Sequence, residues 1–343
     1  MEAILVVGGP GTRLRPLTDT MPKHLLPVGG VPLIVHQIVR AREAGVEHLV
    51  LATGYLAEIF EDMIGDGSRF GVRIDYAQED QPLGTGGAIR NTAGFLTAAD
   101  DDPVLVFNGD IIDGHDIGAQ VDVHTSGGAD VTLYLTRVDD ARAYGCVPTD
   151  RTGRVTAFLE KMPAPVSDQI NAGCYVFRRA VIDEIPTGRA VSVERETFPS
   201  MLDAGRLVLG FVDDAYWRDL GTPEAYVRGS ADVVLGRVDA PARPGPAGEY
   251  LVSGTAKVSD QATLCGGTSV ESGCVVGVGA LIDGSVLLAG AVVGADAVVT
   301  ASAVGRGAHI GAGAVLDGAA IGDGAEVPAG ARPDFGARIS LTT

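Results

Sequence analysis

Gly8, Gly9 and Gly11 stand in the stretch GGPGTRLRPLT, directly behind the apolar run AILVV, and Thr12, Arg13 and Arg15 follow them. Glycines behind a strand let the backbone come close to an anion and aim its N–H groups at it. The two arginines add positive charge, so the stretch reads as a phosphate-holding loop, although a bare glycine-rich loop also serves as a tight turn. Two common phosphate motifs are excluded. A P-loop ends in Gly-Lys-Ser/Thr, and a dinucleotide fingerprint needs a third glycine where Leu14 stands.

Such a loop needs a rigid support. Residues 3–7, 48–53, 72–77 and 103–108 are short apolar runs bounded by Gly, Pro or polar residues, the pattern of buried parallel strands. Helix-compatible spacing over 33–44, 55–64 and 86–96 lies between them. This alternation predicts an α/β fold, a Rossmann-like doubly wound sheet with ligands at the carboxyl ends of its strands. Beyond about residue 130 the expected strands are 130–138, 144–149, 154–160 and 170–177, with helices near 194–204 and 223–234. The stretch DAPARPGPAG, 239–248, holds three prolines and two glycines and is expected to be a linker.

After the linker the pattern becomes periodic. Branched aliphatics recur every six residues at Val252, Val258, Leu264, Val270, Val276, Ile282 and Leu288, then with five-residue slips at Val293, Val299, Val304, Ile310, Leu316, Ile321 and Val327. A period of six fits neither a helix nor simple strand alternation. It marks a parallel β-helix whose coils have three short faces and bury one another's aliphatic ladder. The expected organisation is a first domain over 1–236, a linker over 237–249, a β-helix over 250–333 and a tail over 334–343.

The totals narrow the function. Asp plus Glu number 44 against 26 for Lys plus Arg, a formal net charge of −18 that repels nucleic acid and anionic membrane surfaces. An anionic substrate must therefore be drawn in locally. The four cysteines, Cys146, Cys174, Cys265 and Cys274, form no CxxC pair and read as reduced, packed thiols. No stretch reaches the roughly 18 apolar residues of a membrane span, and the start of the chain lacks a basic segment before a cleavable apolar run. A cytoplasmic location is expected.

GGPGTRLRPLT, followed by MPKHLLPVGGVPLI, resembles the signature of the sugar-1-phosphate nucleotidylyltransferases, also called nucleotide-sugar pyrophosphorylases. Further matches follow in order at QPLGTGGAI, FNGD, FLEK, INAGCYVF, SVERETFP and YWRDLGTPE, so the resemblance covers essentially the whole chain. It implies that the β-helix is the left-handed hexapeptide-repeat kind. It also implies a reaction in which a sugar 1-phosphate attacks the α-phosphorus of a nucleoside triphosphate and pyrophosphate leaves. That chemistry needs positive charge, a bridging metal and in-line alignment. It needs no general base, because the sugar phosphate is already ionised.

By the same resemblance, Gly8, Gly9, Gly11, Thr12 and Arg13 hold the triphosphate, and Arg13 grips the departing pyrophosphate. Lys23 sits near the α-phosphate and stabilises the transition state. Asp110, behind the strand VLVFN, and Asp219, behind Trp217, hold Mg²⁺. Gly145, Glu160, Lys161, Asn171 and Gly173 contact the sugar phosphate. Glu194 and Glu196 are equally explained as first-turn helix carboxylates and receive no role.

The nucleotide base is expected against Glu79, Pro82 and Gly84. Glu79 stands where thymidylyl- and uridylyltransferase relatives commonly carry Gln. A carboxylate can accept both donors of a guanine edge, whereas an amide better meets thymine or uracil, so GTP is favoured. INAGCYVF and SVERETFP are most similar to the mannose-1-phosphate guanylyltransferases, which makes α-D-mannose 1-phosphate the leading acceptor. Val7, Pro10 and His24 depart from the family pattern, and Pro10 removes one N–H from the loop. Other readings stand beside this one: a sugar-like cyclitol phosphate of the valienol 1-phosphate type as acceptor, a UTP- or dTTP-dependent glucose-1-phosphate enzyme, and a non-catalytic nucleotide-sugar sensor. An acyltransferase on the β-helix would need a catalytic histidine, and His309 is the only one beyond residue 124. The β-helix is expected to mediate homo-oligomer contacts.

Overall fold

A computed structural model describes residues 1–160 and 163–341. The chain divides into two compact units, Met1–Gly9 with Gln37–Trp217, and Pro10–His36 with Arg218–Thr343. Helix α1 (Leu33–Glu43) carries the chain from the second unit back to the first. This division does not follow the linker: most of the signature segment, Pro10–His36, groups with the C-terminal repeats.

The first unit is built on a nine-stranded sheet. Its parallel part comprises β1 (Glu2–Val6), β2 (His48–Thr53), β3 (Arg73–Gln78) and β4 (Pro103–Asn108), within a residue of the expected positions. β1 lies between β2 and β4, with β3 outside β2, so the strand order reverses beside β1. Ala3, Ile4 and Leu5 are inaccessible, as are Leu49, Val50, Leu51 and Ala52, which fits strands covered on both faces. α2 (Ala57–Ile64) and α3 (Gly84–Asn91) supply connections, and α3 packs on β1 and β2.

The remaining strands are β5 (Val131–Arg137), β6 (Gly145–Cys146), β7 (Leu159–Glu160), β8 (Gln169–Arg178) and β9 (Val208–Val212). β8 runs antiparallel to β4 and β5, while β9 is parallel to β5, so the whole sheet is mixed. The expected strands 144–149 and 154–160 shrink to two-residue pairings and the isolated bridge Thr149↔Val155. Pro148 has no N–H to offer a ladder there. The expected helix over 194–204 begins as a π-helical turn, Val193–Thr197, and continues as α6 (Phe198–Asp203). α4 (Ile117–Gly127) packs on β5 and β8, and α5 (Arg179–Glu184) packs on β8.

In the second unit α7 (Pro223–Val234) starts as its sequence dictates: Thr222 Oγ1 accepts the Ala225 N–H at 3.2 Å and Pro223 occupies the first turn. Residues 239–248 hold neither helix nor strand. Parallel sheets of six, five and four short strands then wind as a β-helix, consistent with the left-handed kind. The first coil spans 18 residues, with Leu264 opposite Ile282; the following coils span 17, with Val270 opposite Leu287 and Leu287 opposite Val304, and the last pairing, Ile321 opposite Ile339, spans 18 again. The ladder residue is therefore Leu287 and not Leu288, although both are buried. The five-residue corner is stabilised from inside. Ser285 Oγ accepts the Ser302 N–H at 3.0 Å and Ser302 Oγ accepts the Ala319 N–H at 2.9 Å. Arg338–Ile339 pairs with Ala320–Ile321, so the ladder extends into the expected tail. Among the described residues no helix is long and apolar enough to cross a membrane.

Candidate active site

In the first unit the expected site residues Gly8, Gly9 and Asp110 follow the strands beside which the strand order reverses, where sheets of this kind bind ligands. Val6 and Asn108 are register partners at the ends of β1 and β4, and the Gly109 N–H donates to the Val6 carbonyl at 3.0 Å. The chain leaving β1 toward Gly8 and Gly9 and the turn at Gly109–Asp110 therefore start side by side, and Asp110 is partly buried. Beside Gly8 lies Glu79. A Cβ added to Gly8 would meet Glu79 Oε1 at 3.5 Å, and Glu79 Oε2 accepts the Leu83 N–H at 3.0 Å. Desolvation raises the Glu79 pKa above the ordinary glutamate value, opposed by that backbone hydrogen bond. Pro82 and Gly84 flank Leu83 and are exposed.

SVERETFP braces this edge. The Gly86 N–H donates to the Val191 carbonyl at 2.8 Å, and the Val191 N–H donates to the Leu83 carbonyl at 2.8 Å. Glu194 Oε2 accepts from Thr85 Oγ1 at 2.8 Å and from Ser192 Oγ at 2.7 Å. Glu194 thus ties the start of α3 to the π-helical turn, a role that its sequence position did not reveal.

Backbone register brings together several of the residues expected on the sugar side. Gly145 pairs with Glu160, and Cys146 pairs with Ile170, next to Asn171. Lys161 lies outside the described residues, and Glu160 is placed by its backbone alone. Between Asn171 and Tyr175 the register shifts in a bulge, and Gly173 takes φ +81° within it. The bulge aims Asn171 Nδ2 at the Tyr175 hydroxyl, 2.8 Å away, and the Gly173 N–H at Asn171 Oδ1, 3.2 Å away. Two aromatic neighbours were not evident from the sequence. Trp217 Nε1 donates to the Ala172 carbonyl at 2.9 Å, and Tyr144 meets the Trp217 ring edge-on at 5.4 Å.

The second unit holds Arg13 and Lys23. Thr12, Arg13 and Leu14 form one 3₁₀ turn behind Gly11, which takes φ +61°. Leu14 is buried and anchors the turn, while Thr12 and Arg13 stay exposed. Thr18 Oγ1 donates to the Gly11 carbonyl at 2.8 Å, and the Lys23 stem lies against Gly11, where an added Cβ would meet Lys23 Cβ at 3.2 Å. Arg13 and Lys23 thus flank one glycine. Arg13 Nη2 also faces Asp219 Oδ2 at 3.7 Å, and Asp219 Oδ1 accepts the Gly221 N–H at 2.7 Å. Gly221 leaves room for this pair: an added Cβ would overlap the Arg13 guanidinium and approach Asp219 Oδ1 to 2.8 Å.

Among the described residues no cluster of three or more His, Cys, Asp or Glu is arranged to enclose a metal. Asp110 and Asp219 offer carboxylate oxygens, the donor type that a hard divalent cation takes together with substrate phosphates and water. Five of the six histidines, His24, His36, His48, His115 and His124, are buried.

Residues 2–234 match the Nucleotidyl transferase family model, and residues 247–331 match the GMPPB C-terminal domain model. The chain is 53% identical over 284 residues to a mannose-1-phosphate guanylyltransferase of Mycobacterium tuberculosis, covering 82% of this chain and 78% of that one. It is 34% identical over 283 residues to mannose-1-phosphate guanylyltransferase 1 of Arabidopsis thaliana, covering 80% and 78%. The crystal structure of HddC from Yersinia pseudotuberculosis is similar with a TM-score of 0.58 at 26% identity, covering 68% of this chain and 99% of that one. Another structure of HddC, complexed with GMP-PN, matches with a TM-score of 0.57. With residues 2–234 matched, more than half of its length, the chain belongs to the nucleotidyl transferase family, and mannose-1-phosphate guanylyltransferases are among its relatives.

Proposed function

We propose that the chain joins GTP to α-D-mannose 1-phosphate, releasing pyrophosphate and forming GDP-mannose. An oxygen of the sugar phosphate attacks the α-phosphorus. The new P–O bond forms as the bond from the α-phosphorus to the β-phosphate bridging oxygen breaks, and pyrophosphate departs with that electron pair. Relatives at 53% and 34% identity support the substrates. The geometric observation that carries the choice of base is Glu79, whose carboxylate is held by the Leu83 N–H beside Gly8.

In this reading Gly8, Gly9, Gly11 and Thr12 cradle the triphosphate. Arg13 neutralises the β- and γ-phosphates and the leaving pyrophosphate, while Lys23 offsets charge that builds at the α-phosphate. The contact of the Lys23 stem with Gly11 supports their joint action. Gly145, Glu160, Lys161, Asn171 and Gly173 orient the acceptor, and Pro82 and Gly84 line the base edge with Glu79. Asp110 and Asp219 hold Mg²⁺, which when bound would screen the repulsion between the two anionic reactants. The acceptor phosphate is ionised at neutral pH, so no general base is required, and the burial of five histidines is consistent with that. The β-helix serves homo-oligomer contacts, which sedimentation of the full chain tests; a strict monomer rejects them.

A matrix of four nucleoside triphosphates against mannose, glucose and cyclitol 1-phosphates, scored by pyrophosphate release, tests the assignment. GTP with mannose 1-phosphate is expected to lead. Preference for UTP or for a cyclitol phosphate would replace the substrate, and GTP binding without turnover would point to a sensor.

A further inference from the structure

In the β-helix, Ser272, Ala289, Arg306 and Asp323 occupy one corner position in successive coils, 17 residues apart. The carbonyls of Ser272, Ala289 and Arg306 each accept an N–H from the coil above. Small residues are expected at such a corner, yet the last two positions carry opposite charges. Asp323 Oδ1 accepts the Arg306 N–H at 2.7 Å, and Asp323 Oδ2 accepts from Arg306 Nε at 3.0 Å and Nη2 at 2.8 Å. The pair reaches outward to Thr20. Thr20 Oγ1 donates to Asp323 Oδ2 at 2.6 Å and accepts from Arg306 Nη2 at 3.0 Å.

Two neighbours secure the same segment. Arg338 Nη1 donates to the Arg15 carbonyl at 3.2 Å, and a Cβ added to Gly322 would meet Pro16 Cβ at 3.1 Å. The fastened stretch, Arg15 to Thr20, lies between Arg13 and Lys23, and Thr18 within it holds the Gly11 carbonyl. On the other side the Gly29 N–H donates to Ser230 Oγ at 3.0 Å and Tyr226 Oη donates to the Pro27 carbonyl at 2.7 Å. The segment carrying both cations is thus fixed at each end. A partly exposed charge pair adds little to global stability, so its consequence is local geometry.

We propose that Thr20, Asp323 and Arg306 are positioning residues, a clamp by which the β-helix holds the phosphate loop in the shape that receives the nucleoside triphosphate. The proposal rests on the roles given above to Arg13 and Lys23. A β-helix that only joined subunits would need no polar bond to this loop.

The test uses the full chain with Thr20→Val, Asp323→Ala, the double variant and Thr20→Ser. Two readouts are taken: amide hydrogen exchange over residues 11–23, and separate KM values for GTP and mannose 1-phosphate. In Thr20→Val, exchange over 11–23 is expected to accelerate while other protected segments are unchanged; Asp323→Ala should do the same and in addition release the Arg306 amide that its carboxylate holds. The KM for GTP should rise about tenfold, as for loss of one charge-assisted hydrogen bond, and the KM for mannose 1-phosphate by under about twofold. The double variant should lose less than the sum of the two singles, since both remove the Thr20–Asp323 bond, and Thr20→Ser should restore wild-type behaviour. Unchanged exchange over 11–23, faster exchange with an unchanged GTP KM, or additive effects would each overturn the clamp. Exchange is read without turnover, so a wild-type chain inactive with GTP would defeat the proposed reaction while the exchange data still decide the clamp. Thr20 is an exposed residue, so Thr20→Val keeps the test decisive if Asp323→Ala fails to fold.

Discussion

Glu79 accepts the Leu83 N–H through Oε2 while Oε1 faces the Gly8 backbone, so the carboxylate is oriented before any nucleotide arrives. Glu79→Gln keeps the shape and removes the second acceptor. The expected outcome is a loss of about ten- to a hundredfold in kcat/KM for GTP, with UTP affected far less. Paired measurements with both nucleotides check it; an equal loss for both would assign Glu79 to loop structure. Burial raises the Glu79 pKa, so on acidification it protonates before an ordinary glutamate, and GTP selectivity should decline at the acid end of the rate profile.

Gly221→Ala tests the Arg13–Asp219 pair without altering either member. The new methyl would overlap the Arg13 guanidinium and crowd Asp219 Oδ1. Displacing a charge-stabilising group by about an ångström can cost about a hundredfold in rate. Turnover should fall toward that extent while the thermal midpoint stays near wild type. Wild-type turnover in a folded variant would remove this pair from the reaction.

Asp110→Ala and Asp219→Ala should each lower turnover on the order of a hundredfold or more, with less effect on folding. Chelation should abolish pyrophosphate release and added Mg²⁺ should restore it. Unchanged rates in either variant would take that aspartate out of the proposed metal site.

Asp113 supplies a stability test away from the chemistry. Burial opposes its ionisation, but Arg40 at 2.6 Å and His115 outweigh that cost and hold the pKa at about 2. A depressed carboxylate contributes stability in full above its ordinary value of 3.8 and loses it as pH falls through about 2. Asp113→Asn should therefore weaken the fold at neutral pH by about 3–5 kcal/mol, measured by urea unfolding. The gap from wild type should close as pH drops toward 2. A constant gap across that range would show that packing, not charge, is responsible.

The β-helix core gives a second stability outcome. Ile310 is fully buried in the aliphatic ladder between Val293 and Val327. Ile310→Ala should cost about 2–5 kcal/mol in chemical unfolding, and a negligible change would mean that the coils do not share a packed core.

The parallel strands were legible because continuous apolar runs admit little else in a sheet covered on both faces. The helix Ile117–Gly127 was not: IGAQVDVHTSG lacks a clear apolar stripe. Leu288 was mistaken for Leu287 because adjacent leucines satisfy either spacing. The hydroxyls of Ser285 and Ser302 fix the register, and no periodicity reports their bonds. At the candidate site, Gly11, Arg13, Lys23 and Asp219 were singled out by residue type and motif. The packing of Tyr144 on Trp217 and the room left by Gly221 depend on strands distant in sequence. The bond between Thr20 and Asp323 spans 303 positions and leaves no local trace.

The most direct measurement follows isotopically heavy oxygen from the phosphate of α-D-mannose 1-phosphate after incubation with the full chain, GTP and Mg²⁺, read by phosphorus NMR. The proposed reaction predicts GDP-mannose with heavy oxygen bridging its two phosphorus atoms, and pyrophosphate that carries none. A light bridging oxygen, or pyrophosphate formed equally well without the sugar phosphate, would contradict attack by the sugar phosphate on the α-phosphorus.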